Sequence, residues 1–203
     1  MIKPALAILQ DEIEQFVTNQ PNAGWISDYA VQLANVTNLG FDDDAKYNDS
    51  ILLSLISTEQ DSTLRNAEFK RYSSASSKVT YHNPKISLNL NVLVCTKFTH
   101  YANALEWLSQ VIEFFQSKNV FTAANTPKIH DYQSLSAHEK MTFKLIADFH
   151  SLNFEQLNNL WGTLGRNLMP HFLLKVRLIK IFNDQIHKTG PSITQITARE
   201  NIL

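Results

Sequence analysis

Ten residues after Pro84 set the terms for the whole chain. The run ISLNLNVLVC, Ile86 to Cys95, alternates apolar and polar side chains, so that Ile86, Leu88, Leu90, Val92 and Val94 share one face and Ser87, Asn89 and Asn91 the other. Only a period of two, that of a strand, gathers them so; a helix would scatter them around its circumference. The fold must therefore contain a sheet with a buried face.

Other segments supply neighbours for that strand. His171 to Phe182 alternates again, with Phe172, Leu174, Val176 and Leu178 opposite Lys175 and Arg177. From Met141, Phe143, Leu145, Ala147 and Phe149 oppose Thr142, Lys144 and Asp148. Ile51 to Ile56, ILLSLI, is a short continuous apolar run suited to a strand buried on both faces. VQLANV, Val31 to Val36, is a weaker strand signal before the acidic turn Asp42 to Asp44.

Three helices are expected. Ile2, Leu6, Leu9, Ile13, Phe16 and Val17 recur at helical spacing, with Pro4 suited to a first turn and a stop before Pro21. Tyr101, Leu105, Leu108, Val111, Ile112 and Phe115 mark one stripe of a second helix that Thr99 could cap. SLNFEQLNNLWGTLG carries a full set of helix signals: Asn153 as cap, Gln156 as its reciprocal partner, Leu152 and Leu157 as a staple, and Gly165 as the stop.

Between these elements, Asn66 to Asn83 reads as a long exposed loop and Asn119 to Lys140 as an irregular connection. From Asn183 the chain turns polar and breaks at Thr189, Gly190 and Pro191 before the β-prone SITQIT. Residues 1–182 are expected as one domain and 183–203 as a C-terminal arm. Helices interspersed with paired strands, without βαβ repetition, give an α+β fold: a mixed or mainly antiparallel sheet packed with about three helices.

Charge excludes some partners. Lys and Arg number 18 against 19 Asp and Glu, dispersed along 203 residues, so the clustered basic surface that phosphate backbones require is missing and nucleic acid is not expected. No apolar run approaches the ~20 residues that span a bilayer, so membrane insertion is not expected. Asp11, Glu12 and Glu14 interrupt any signal-peptide core, and the lone Cys95 has no internal partner for a disulfide. A soluble protein made in the cytoplasm is the expectation.

The sequence carries none of the familiar catalytic motifs. His138 and Glu139 do not continue as HExxH, because residue 142 is Thr. The other histidines show no shared ligand spacing, and Cys95 at the end of a strand reads as structural. Asp42, Asp43 and Asp44 lack the continuation of a calcium loop. GxSxG, the phosphate-binding loop GxxxxGKS/T and GxGxxG are all missing, and five glycines leave little for a phosphate cradle. No catalytic residue, metal ligand or cofactor is assigned. A small hydrolase or metal-dependent enzyme would need at least two of His82, His100, His130, His138, His150 and His171 to converge.

The chain has 18 asparagines, as many as its basic residues, several of them on strand or helix faces. Amides can hydrogen-bond across a contact without the desolvation cost of a charge, which suits the charge-depleted centre of a protein interface; a solvated polar face is the alternative. Candidate interface residues are Asn89, Asn91, Asn158, Asn159 and Arg166, with Ser192, Ile193, Thr194, Gln195, Ile196 and Thr197 in the arm. Trp107, Phe114 and Trp161 are expected in the core.

ILLSLISTEQDSTLRN, YHNPKISLNLNVLV, YANALEWLSQVIEFFQSKNVFT and SLNFEQLNNLWGTLGRNLMPHFLLKVRLI, in this order, resemble the N-terminal domain of the cap protein of extracellular contractile injection systems, the Photorhabdus virulence cassette and antifeeding prophage type. The resemblance runs from about Met1 to Ile181. NLWGTLG with the following Pro and KVR, and NPKISLNL, are its most specific parts. It implies a phage tail-terminator-like fold and a non-catalytic role: a ring, usually of six copies, on the end of the inner tube distal to the baseplate, touching the last sheath ring. The implied partners are the chain itself, tube protein and sheath protein, with a second cap protein or a tape-measure protein as further candidates. Assembly would take place in the cytoplasm, within a particle that can be released. A free-standing adaptor is the other non-catalytic alternative.

Overall fold

The computed structural model of the chain describes residues 2–20, 31–39, 47–61, 70–73, 78–82, 86–165, 167–181 and 186–191. The helices are α1 (Ile2–Thr18), α2 (Tyr101–Ser117), α3 (Ala137–Met141) and α4 (Phe154–Leu164). The strands are β1 (Val31–Leu33), β2 (Ser50–Gln60), β3 (Lys70–Ser73), β4 (Lys78–His82), β5 (Ile86–Lys97), β6 (Val120–Thr122), β7 (Lys144–His150), β8 (His171–Ile181) and β9 (Ile186–Pro191). They form two compact units, Met1–Gln60 with Leu88–Ile179, and Asp61–Ser87 with Lys180–Leu203.

The larger unit is built on a six-stranded sheet in the order β1-β2-β5-β8-β7-β6. β1 runs parallel to β2, whereas β2–β5, β6–β7 and β7–β8 are antiparallel. The fold is thus the α+β arrangement expected, with a mixed sheet. As its alternation requires, β5 sends Leu90, Val92 and Val94 into a core shared with Ile8, Leu9 and Ile13 of α1 and Trp107, Val111 and Phe115 of α2. Its other face sends Leu93 and Cys95 into a second core with Leu52, Val36, Leu39, Leu173 and Trp161 of α4. β2 is buried on both faces over Ser50 to Ser54, so the burial expected of Ile51 to Ile56 stops short of Leu55, which is 37% exposed, and of Ile56, which is half-buried. A register shift between Leu55 and Ser57 leaves Ile56 as the extra residue, and beyond it β2 becomes exposed.

Burial holds the Cys95 thiol as a structural group, its pKa pushed up to about 12 by loss of solvent. α4 uses its predicted signals in full: Asn153 and Gln156 bond reciprocally, and Gly165 ends the helix at φ 64°. Only glycine takes that left-handed turn without steric cost.

Several expectations are corrected. α2 is rotated from the Tyr101-to-Phe115 stripe: Ala104, Trp107, Val111, Phe114 and Phe115 are buried, while Tyr101, Leu105 and Ile112 are exposed. Burying the indole removes more apolar surface from water than burying Leu105, and Ala104 lets the helix approach closely. Thr99 does not cap the helix. His100 holds that position with no side-chain bond, and the Thr99 N–H instead donates to Asp49 Oδ1 at 2.8 Å. The expected strand from Val31 stops at Leu33, because Asn35 caps a 3₁₀ turn over Val36–Asn38.

The connection Asn119–Lys140 contains β6, a 3₁₀ turn at Pro127–Asp131 and α3, whose Ser136 and Glu139 form a capping box. Two hydrogen bonds from Ser136 outweigh the burial that would raise the Glu139 pKa, and its carboxyl ends below the usual range.

The smaller unit is a three-stranded antiparallel sheet, β3-β4-β9. Strands therefore occupy part of the stretch expected as a loop, and Ile186–Pro191 of the expected arm pairs with β4. Asp42 to Asp44 lie outside the described residues.

Candidate assembly surfaces

Of the expected interface residues, those described lie on faces of the fold, on β5 and on α4. α4 rests on the sheet through Leu157, Leu160, Trp161 and Leu164. Its opposite side carries Glu155, Asn158, Asn159 and Thr163, and Phe154, two turns before Trp161 and so on nearly the same flank, is 90% exposed at the helix start. Glu155 is the lone charge among these five, and a Cβ at Gly162 would meet nothing within 4 Å. The seat is fixed by His171 at the start of β8. The Trp161 indole N–H donates to His171 Nε2 at 3.3 Å, and His171 Nδ1 lies 2.8 Å from the Met169 carbonyl. These partners assign the neutral tautomer with its proton on Nδ1.

Asn89 and Asn91, on the α4 side of β5, are each only 8% exposed. Asn91 Nδ2 donates to Ser57 Oγ at 2.8 Å and to Glu59 Oε1 at 2.7 Å, and Lys175 Nζ meets Glu59 Oε2 at 2.8 Å. The Lys175 hydrogen bond, then that of Asn91, hold the Glu59 carboxyl below the ordinary range. The carbonyl oxygens of Asn89 and Asn91 are buried without a hydrogen-bond partner. Asn91 is thus a member of a polar network and Asn89 is buried two residues before it on the same strand, whereas Asn158 and Asn159 stand in solvent. Arg166 and Ser192 to Thr197 lie outside the described residues.

The sheet edges carry residues that the sequence did not single out. At one edge, Gln10 Nε2 on α1 donates to the Val31 carbonyl of β1 at 2.8 Å. At the other, Asn125 folds back on β6. Its Nδ2 donates to Val120 O at 2.8 Å, its Oδ1 accepts from Thr122 N–H at 2.7 Å, and its backbone N–H donates to Thr122 O at 3.2 Å. Next to Asn125, Lys118 bonds Glu12 of α1 at 2.5 Å and the Asn125 carbonyl at 2.7 Å, lining an open groove with Phe16, Phe114 and Pro127.

Among the described residues, no group of three or more His, Cys, Asp or Glu side chains could hold a metal ion, and no helix is long and apolar enough to cross a membrane.

The fold is that of the tube terminators of contractile injection systems. The chain is similar to the sheath/tube terminator, in its extended state, of the extracellular contractile injection system PVC: TM-score 0.60, 12% identity, covering 100% of this chain and 64% of that one. It is also similar to the anti-feeding prophage cap, the AFP tube-terminating cap, with TM-score 0.58 and 15% identity over 95% of this chain and 60% of that one. The chain therefore spans less than two thirds of the length of either. Residues 5–195 match the Pvc16 N-terminal domain, and the chain belongs to that family. The matched range reaches past Asn183, where the recognisable motifs stop. No curated protein matches the chain.

Proposed function

We propose that this chain is a structural, non-catalytic terminator subunit of a contractile injection system. It sits on the baseplate-distal end of the inner tube, contacts the last sheath ring and stops both from growing. The observation that carries this reading is the correspondence of its whole length with a sheath/tube terminator, in a chain of the same domain family. No observation favours the hydrolase or metal-enzyme alternative.

The physical task is narrow. A tube of stacked rings is an open heterologous polymer, since each added ring presents a fresh binding face. A terminator ring must match that face on one side and offer no copy of it on the other. The finer reading is a homo-hexameric ring bound to tube and sheath protein, with a second cap or tape-measure protein as further neighbours. It would assemble in the cytoplasm, within a particle that is afterwards extracellular. The exposed amides Asn158 and Asn159 belong to the contacting surface in this reading, as does Arg166. Ser192 to Thr197 adds a strand to an exposed edge in a sheath subunit or neighbouring protomer. Asn89 and Asn91, which the sequence also suggested for that surface, are each only 8% exposed on β5.

Native mass spectrometry of the chain with and without purified tube protein tests the reading. A six-copy ring that binds tube ends supports it; a monomer indifferent to tubes overturns it. In particles lacking the chain, negative-stain images should show tubes of abnormal length or missing ends.

A further inference from the structure

β6 ends the six-stranded sheet, and an end strand offers its outward N–H and C=O groups to any extended chain that approaches. Which groups face outward follows from the ladder. The Ala147 N–H bonds the Asn119 carbonyl at 2.9 Å, and Phe121 pairs with Leu145, so residues 119 and 121 turn their backbone groups toward β7. Val120 and Thr122 turn theirs away. Of those four outward groups, Asn125 takes three: its side-chain amide engages Val120 C=O and Thr122 N–H, and its backbone N–H engages Thr122 C=O. A carbonyl and the N–H two residues on are what an added strand would bind, and one primary amide fits both because it is donor and acceptor at once.

We infer that Asn125 is a plug that keeps the β6 edge from pairing with the same edge of a second copy of this chain. Two such edges are self-complementary when antiparallel, since Val120 of one copy can exchange hydrogen bonds with Thr122 of the other. A second copy is thus the occupant that every solution of the protein supplies. Pairing requires each copy to break the two side-chain bonds of its plug, which offsets the bonds gained. Without the plug, the same groups are bonded only to water and that opposing cost is gone. The inference needs no tube protein and stands apart from the terminator reading.

Sedimentation velocity over a concentration series tests it with three proteins. Asn125→Ala should self-associate at least about ten-fold more tightly than the parent, the loss of roughly one to two net hydrogen bonds of opposition per copy. Asn125→Asp keeps an acceptor for Thr122 N–H and places a charge on the edge, and should match the parent. A folded Asn125→Ala chain with the parent's mass distribution at every concentration overturns the plug. Hydrogen exchange on the parent protein gives a result independent of variant folding: the Thr122 amide should exchange as slowly as the inner ladder amides of β7. Exchange at the rate of an open loop overturns the inference.

Discussion

Lys175 on β8 reaches over β5 to Glu59 on β2, and the two close a 2.8 Å ion pair across a strand that contributes neither partner. Strands two places apart lie ~10 Å from each other, so only a long side chain at each end spans the gap. Asn91 beneath them donates to the same carboxylate, and three neighbouring strands share one polar clamp.

Glu59→Gln should expose the pH signature of that clamp. The carboxyl pKa is lowered, first by the Lys175 hydrogen bond and then by that of Asn91. A lowered folded value means that the stabilisation is complete above the unfolded carboxyl pKa of ~4.3 and is lost as pH falls through the folded value. With Glu59 49% and Lys175 31% exposed, solvent keeps it small, about 0.5 kcal/mol at pH 7. Urea denaturation should show the two proteins diverging at neutral pH and converging in acid. A constant gap across that range would mean that the pair is decorative.

Two glycines three residues apart should answer the same substitution with opposite signs. Gly162 lies within α4, and a Cβ there meets nothing within 4 Å, so Gly162→Ala should stabilise by about 0.5–1 kcal/mol. Gly165 ends the helix at φ 64°, where a Cβ is strained, and Gly165→Ala should cost roughly 1 kcal/mol. Thermal melts of both variants decide it: equal shifts would mean that the C-terminal turn of α4 does not hold in solution.

The Trp161–His171 seat should be the costliest to disturb. Trp161 is 5% exposed within the core under α4. Trp161→Ala should lose about 3–5 kcal/mol, the usual cost of emptying a large aromatic site. Trp161→Phe keeps much of the ring contact and drops only the indole N–H, so its loss should be nearer 1 kcal/mol. Chemical denaturation compares them. If the two variants melt together, the hydrogen bond to His171 and not packing secures α4.

What was legible in the sequence was what a short window contains. α4 announced its cap, partner, staple and stop within fifteen residues, and β5 announced its faces by alternation. The α3 capping box, Ser136 with Glu139, is equally local, but no apolar period follows it to mark a helix. The orientation of α2 was not local: both of its apolar stripes have helical spacing, and the sheet selected the one carrying Trp107. The setting of Asn91 depends on Glu59 and Lys175, which come from strands far away in sequence. Asn125 needed the three-residue β6 and its turn to be placed first, which periodicity cannot do over so short a span.

The outer side of α4 supplies the last prediction. Of the outward residues Glu155, Asn158, Asn159 and Thr163, only Glu155 is charged. A solvated helix face gains little from excluding charge, whereas a face that enters a contact avoids the cost of stripping water from it. Asn158→Glu with Asn159→Glu should therefore leave the melting curve close to the parent's, within the ~0.5 kcal/mol typical of surface changes. If the proposed ring and tube contacts use this side, the same pair should weaken them at least ten-fold, because two carboxylates would have to be desolvated at the contact. Asn158→Gln with Asn159→Gln keeps the amides and should assemble normally. Native mass spectrometry of both pairs, with and without tube protein, reads the result. If the glutamate pair assembles as the parent does, this side of α4 faces solvent in the particle and the contact lies elsewhere on the subunit.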